Sequence, residues 1–167
     1  MNPLDGKALA SFARACLQSA SPDTPELEFK GDRLVVVRLL KKGRPIARGE
    51  TQEAGPVIEW VRSACGLLGS ISENDLKQSR VEINLLEDIE ELDGEQEEFP
   101  SRIIQRENGV LVSGIEGRGI VLPQEFQEQA MNAVQALNAA CQRAGMSFKA
   151  WQEHASVFRF TAETYVD

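Results

Sequence analysis

The chain has 167 residues, with 18 Lys and Arg against 26 Asp and Glu, 42% hydrophobic residues, one His and three Cys. That length supports one domain whose apolar core needs neither disulfides nor metal, and a net charge of −8 argues against sequence-independent nucleic-acid binding and against docking on an anionic membrane. Apolar runs fall well short of the ~18 residues that cross a bilayer, and the N-terminus has no basic segment leading into an apolar one, so a soluble, cytoplasmic protein is expected.

Apolar residues from Leu4 to Leu17 recur at helical spacing and predict an N-terminal amphipathic helix, which Ser21-Pro22-Asp23-Thr24-Pro25 ends. Leu34 to Leu40 is a β-branched, apolar run that suits a strand buried on both faces, with Arg38 as its one charge. If that strand is central, the Arg38 guanidinium requires a carboxylate partner or a wet cleft. Lys41 to Pro45 turns the chain and Ile46 to Gly49 returns as a hairpin strand. A second helix is predicted from Pro56 to Leu68, with Pro56 in its first turn and Gly69 as its stop.

A short helical turn fits Ser70 to Ser79, and Val81, Ile83 and Leu85 alternate with Glu82 and Asn84, which predicts a strand with one wet face. Ser101 to Arg106 reads as a further strand and Asn108-Gly109 as a tight turn. Val110-Leu111-Val112 and Ile120-Val121-Leu122 flank a glycine-rich hairpin. One long helix is expected from Gln124 to Ala144, capped by Gly145, then a turn carrying Trp151 and a closing strand, Val157 to Phe160. Together these elements predict an α+β fold: a single domain over 1–167, with a mixed β-sheet and flanking helices.

The acidity is local. Eight acids between Glu87 and Glu98 face no Lys or Arg in that stretch, and setting them aside leaves 18 acids against 18 bases. Like charges at this density, with Asp93-Gly94 as a turn signal, read as a solvated acidic loop, 87–98, whose functional alternatives are a docking surface for a basic partner or a weak hard-cation site.

Several chemistries are excluded by the residues present. Cys16, Cys65 and Cys141 each fall on the apolar face of a predicted helix and form no Cys-x-x-Cys pair, so no metal site and no cofactor are expected. His154 is the single histidine, and no Gly-x-Ser-x-Gly elbow accompanies it. Gly114, Gly117 and Gly119 have the spacing of a dinucleotide fingerprint reversed, and no Gly-Lys-Ser/Thr loop occurs. Arg48 and Glu50 flank Gly49 where strand gives way to loop, and alternation puts both side chains on one face. With Arg118, whose planar fork suits a carboxylate or phosphate, they are the candidate ligand-binding residues around one shared hollow, and Glu50 is the candidate catalytic residue.

From Val81 onward, the order of motifs resembles the AMMECR-type domain. The matching stretches are Arg118-Gly119-Ile120-Val121-Leu122-Pro123-Gln124, Cys141-Gln142-Arg143-Ala144-Gly145-Met146, Ala150-Trp151 and Val157-Phe158-Arg159-Phe160. Family members follow a strand with Arg-Gly-Cys-Ile-Gly; here Arg48-Gly49 matches its start and Glu50-Thr51-Gln52 replaces the rest, thiol included. The resemblance implies a genomic association with Memo-like and radical SAM proteins, the AmmeMemoRadiSam system, as partners. Three functions follow as expectations: an accessory domain binding a ligand or partner at Arg48, Glu50 and Arg118; an enzyme or enzyme subunit in nucleobase or metabolite modification, with Glu50 as general base and Arg48 or Arg118 steadying an anion; or an interaction module acting through the acidic loop.

Overall fold

A computed structural model describes residues 3–19, 21–27, 29 and 31–167. The elements run α1 (Pro3–Gln18), β1 (Val35–Lys41), β2 (Arg44–Glu50), α2 (Val57–Gly66), α3 (Glu73–Lys77), β3 (Ser79–Glu91), a 3-10 helix (Gln96–Arg102), β4 (Gly109–Gly114), β5 (Gly117–Val121), α4 (Glu125–Glu128), α5 (Ala133–Arg143), α6 (Ala150–Glu153) and β6 (Ser156–Val166). The fold is α+β around a six-stranded sheet. Contacts divide the chain into two units, one of residues up to 85 with 163–167, the other of residues 86–162. The long strands β3 and β6 contribute a segment to each.

In the first unit β1 lies between β2 and β3, antiparallel to both. The last residues of β6 border β3, where the Asp167 N–H donates to the Val81 carbonyl at 3.1 Å. Val35, Val37 and Leu39 of β1 and Val81, Ile83 and Leu85 of β3 share a core with Leu9, Phe12 and Ala13 of α1 and Val61 and Ala64 of α2. Lys42 and Gly43 both have positive φ, the conformation a two-residue hairpin turn demands. The β1–β2 register slips between Leu39 and Leu40, passing over Ile46, so β2 carries a bulge beside Pro45.

In the second unit β4 pairs antiparallel with β5 and with the first half of β6, and its core joins Val110, Val112 and Val121 to Ala136, Leu137 and Cys141 of α5. The expectation of a mixed sheet thus gives way to antiparallel ladders in these pairings, because hairpins too short for crossovers connect β1 to β2 and β4 to β5.

Four local expectations change. The helix expected over Gln124 to Ala144 is two helices: Ala130 takes φ +50, and Asn132 and Gln135 exchange reciprocal side-chain bonds to each other's backbone N–H, both at 2.9 Å, as a capping box that restarts α5. Glu125, 2% exposed, fixes that break by accepting the Leu122 N–H at 2.8 Å and both Arg143 Nη groups at 3.0 Å. The strand expected at Ser101 to Arg106 is a 3-10 helix and turn, since Pro100 withholds an N–H from any ladder there. Asn108-Gly109 is no hairpin turn. Gly109 starts β4, and a Cβ on it would come within 2.3 Å of the Phe160 ring.

The acidic segment is also more ordered than a loop. Glu87 to Glu91 continue β3, and Glu90 accepts a bond from Arg159 Nε at 2.8 Å. Most of its carboxylates are nonetheless solvent-exposed. No helix among the described residues is long and apolar enough to cross a membrane.

Candidate ligand-binding site

Strand alternation sorts the first unit's sheet into two faces. Gly49, Val35, Val37, Ile83 and Leu85 belong to the face that meets α2. The opposite face is polar: Arg38 stands across from Arg48 on β2 and Glu82 on β3, and Val36 across from Glu50 and Asn84. Like charges directly opposite one another repel, and each of these two arginines is neutralised by its own acid.

Arg48 donates from Nε to Glu50 Oε2 at 2.8 Å, and its Nη2 lies 2.7 Å from the same oxygen. Their side chains keep 20% and 17% exposure, so both can be reached from solvent. Arg38 is fully buried and makes a two-pronged contact with Glu82, Nε to Oε1 at 2.7 Å and Nη2 to Oε2 at 3.2 Å. Asn84, also fully buried, donates to Glu82 Oε1 at 2.8 Å and accepts from the Thr164 hydroxyl at 2.9 Å. The result is a charge-balanced, rigid polar floor beside the more accessible Arg48–Glu50 pair.

This geometry answers the demand that Arg38 made in the sequence, since its partner is the carboxylate of Glu82. It also corrects the expectation of a wet face on β3, because Glu82 and Asn84 are buried polar residues. They were legible through Arg38, whose buried charge required an acid on a neighbouring strand.

Glu50 also lines a hollow of about 260 Å³ bounded by Gln52, Glu53, Trp60, Ser63 and Leu67. The Trp60 indole donates from Nε1 to the Glu53 carbonyl, and a Cβ on Gly55 would lie 2.6 Å from its ring, so the ring is held in place. A second, larger hollow in the first unit, about 660 Å³ between Thr24, Phe29, Asp32, Glu59 and Arg62, holds none of the sequence candidates. Arg118 belongs to the second unit, half-buried on β5 across from Ser113.

The thiols stand elsewhere. Cys65 is buried and its Sγ donates to the Ala13 carbonyl at 3.6 Å; burial, reinforced by neighbouring Cys16, pushes its pKa up to about 12. Burial also raises Cys16, against the opposing pull of the Arg62 guanidinium, and raises Cys141. Unlike the other two, Cys16 is only half-buried. His154 caps α6 in an exposed position. Among the described residues, no group of three or more His, Cys, Asp or Glu is placed to hold a metal ion.

Comparison with known proteins places the chain in a family. The AMMECR1 family model matches residues 69–165, more than half of the chain. A protein of Methanosarcina mazei is 26% identical over 96 residues, covering 58% of this chain and 48% of that protein. An Aquifex aeolicus protein is 33% identical over 85 residues, covering 50% and 44%. In sequence the chain thus spans about half the length of these relatives. The crystal structure of an uncharacterized protein from Pyrococcus horikoshii shares the fold, with a TM-score of 0.82 at 23% identity over 98% of this chain and 92% of that one. The chain belongs to the AMMECR1 family.

Proposed function

We propose that this AMMECR1-family chain is a ligand- or partner-binding domain that binds without the thiol the family resemblance implies, through Arg48 and Glu50. The observation that carries the reading is the Arg48–Glu50 pair itself. An acid stands in the Arg-Gly-x stretch where the family resemblance leads one to expect a thiol, and it is held 2.7 Å from the arginine two residues before it. A partly exposed guanidinium and carboxylate on a stiff polar floor suit recognition of a small polar molecule that brings one acceptor and one donor.

Glu50 as a general base is the weaker reading, because the same oxygen that would take a proton already accepts from Arg48 at 2.8 Å and must first be released. A Memo-like or radical SAM partner, expected from the family, is a candidate for the macromolecular side of this binding.

The test is a metabolite screen by ligand-detected NMR on the full chain. Bound compounds should lose their signal with Arg48→Ala and with Glu50→Gln, while Arg118→Ala, in the other unit, serves as the comparison. Hits that persist unchanged in both the Arg48→Ala and Glu50→Gln variants would sink the reading.

A further inference from the structure

We infer that Cys16 and Cys65 form a peroxide-responsive thiol pair that closes into an intramolecular disulfide tying α1 to α2. The two residues lie in one apolar cluster, where α1 packs against α2. Cys65 Sγ is 3.6 Å from the carbonyl oxygen of Ala13. Ala13 and Cys16 are three residues apart on α1, so the Cys16 side chain stands on the same helix face beside that oxygen. The thiols are near enough to act on each other electrostatically, and bond formation draws the sulfurs together to ~2.05 Å.

The pair is asymmetric in the way a two-step oxidation needs. Cys16 is half-buried and open to a small oxidant, whereas Cys65 is buried behind it. Arg62, one turn before Cys65 on α2, acts on Cys16 as a nearby positive charge and is itself held 5.5 Å above the Phe12 ring. That charge favours the thiolate, which is the attacking species. Burial works against it, so the pair responds to sustained oxidation rather than to traces.

The oxidant is hydrogen peroxide. The Cys16 sulfur attacks one peroxide oxygen, the O–O bond breaks, and the leaving oxygen departs as water with the thiol proton, leaving Cys16 as a sulfenic acid. The Cys65 sulfur then attacks the Cys16 sulfur, the S–O bond breaks, and the hydroxyl leaves as a second water with the Cys65 proton. Two thiols together lose two electrons, and the peroxide gains them. Cys141 provides an internal control: its thiol faces the backbone of Ala150 and Trp151.

The experiment treats the folded full chain with hydrogen peroxide, blocks remaining thiols with N-ethylmaleimide after unfolding, and maps the peptides. The expected product is a Cys16–Cys65 linked pair, two hydrogens lighter, reversed by dithiothreitol, with Cys141 still alkylated. Amide exchange in α1 should slow roughly tenfold on oxidation and recover on reduction. Cys65→Ala should stall Cys16 as a sulfenic acid that dimedone captures, and Cys16→Ser, at the half-exposed position, should leave Cys65 reduced. Wild-type Cys16 driven to sulfinic acid beside a free Cys65, or a bond formed between two chains, overturns the pairing.

Discussion

The two units solve one packing problem with the same local device. In the first, β2 presses against α2 at Gly49, where a Cβ would sit 2.0 Å from the Ala64 carbonyl oxygen. In the second, β5 meets α5 at Gly119, where a Cβ would sit 1.8 Å from the Ala140 carbonyl oxygen. Each glycine follows an arginine, Arg48 or Arg118, and each alanine precedes a buried cysteine, Cys65 or Cys141. The units part at the residue after the glycine. It is Ile120 in the second, fully buried, and Glu50 in the first, paired with Arg48. Close helix–strand approach therefore needs the glycine and accepts a hydrocarbon next to it. The acid is an addition that packing does not require, which is why the site is sought in the first unit.

The ion pairs built on a buried acid make the same contrast. Arg143–Glu125 is held mainly to backbone: its acid takes the Leu122 N–H and its guanidinium donates to the Ile120 carbonyl at 2.6 Å, with the Gln129 amide donating to the acid at the longer 3.4 Å. Arg38–Glu82 connects to further side chains, Asn84 and through it Thr164.

The largest effect should come from breaking that second pair. Glu82→Leu strands a fully buried guanidinium and should cost about 4 kcal/mol in urea unfolding, with most of it recovered in the Arg38→Met, Glu82→Leu double variant. A single variant as stable as wild type would mean the floor is not the charged core described. Next in size are Gly49→Ala and Gly119→Ala, each expected to cost about 3 kcal/mol because the obstacle is backbone. If one is tolerated and the other not, the parallel between the units breaks.

The cysteines sharpen it through pH. Cys65 titrates near 12 when folded, against the ordinary 9.0, so above 9.0 the unfolded chain loses its proton first. The stability this thiol contributes is complete below 9.0 and is lost as pH rises toward about 12. Cys65→Ala should flatten that alkaline decline in denaturation midpoints measured across the window, and Cys141→Ala should act in the same direction. The smallest effect on stability should be Glu50→Ile, which writes the second unit's residue into the first. A change within about 1 kcal/mol is expected for a partly exposed ion pair, together with loss of ligand signals in the NMR screen.

Much of this was readable in the chain. The burial of β1 on both faces, the Pro56 start of α2 and the left-handed Gly145 followed from local chemistry, and Arg38 announced a partner before any strand order was known. The break between α4 and α5 was written as Asn132 and Gln135, but the apolar period running through it was the louder signal. Glu82 and Asn84 alternate with apolar residues as any half-wet strand does; only their neighbours across the sheet make them interior. Contact across strands is set by register, which periodicity along one strand does not contain. Of the three glycines in the glycine-rich hairpin, Gly117 alone has a positive φ. Gly119 is needed for space.

The bulge in β2 has a consequence for how the molecule behaves in a crowded solution. A second chain arriving along that border would meet Pro45, which offers no N–H, a skipped rung at Ile46, and arginines at 44 and 48. Such a border gives an incoming strand nothing regular to copy, and a surplus of negative charge keeps whole molecules apart. Concentrated preparations should stay dispersed rather than nucleate fibrils from this side.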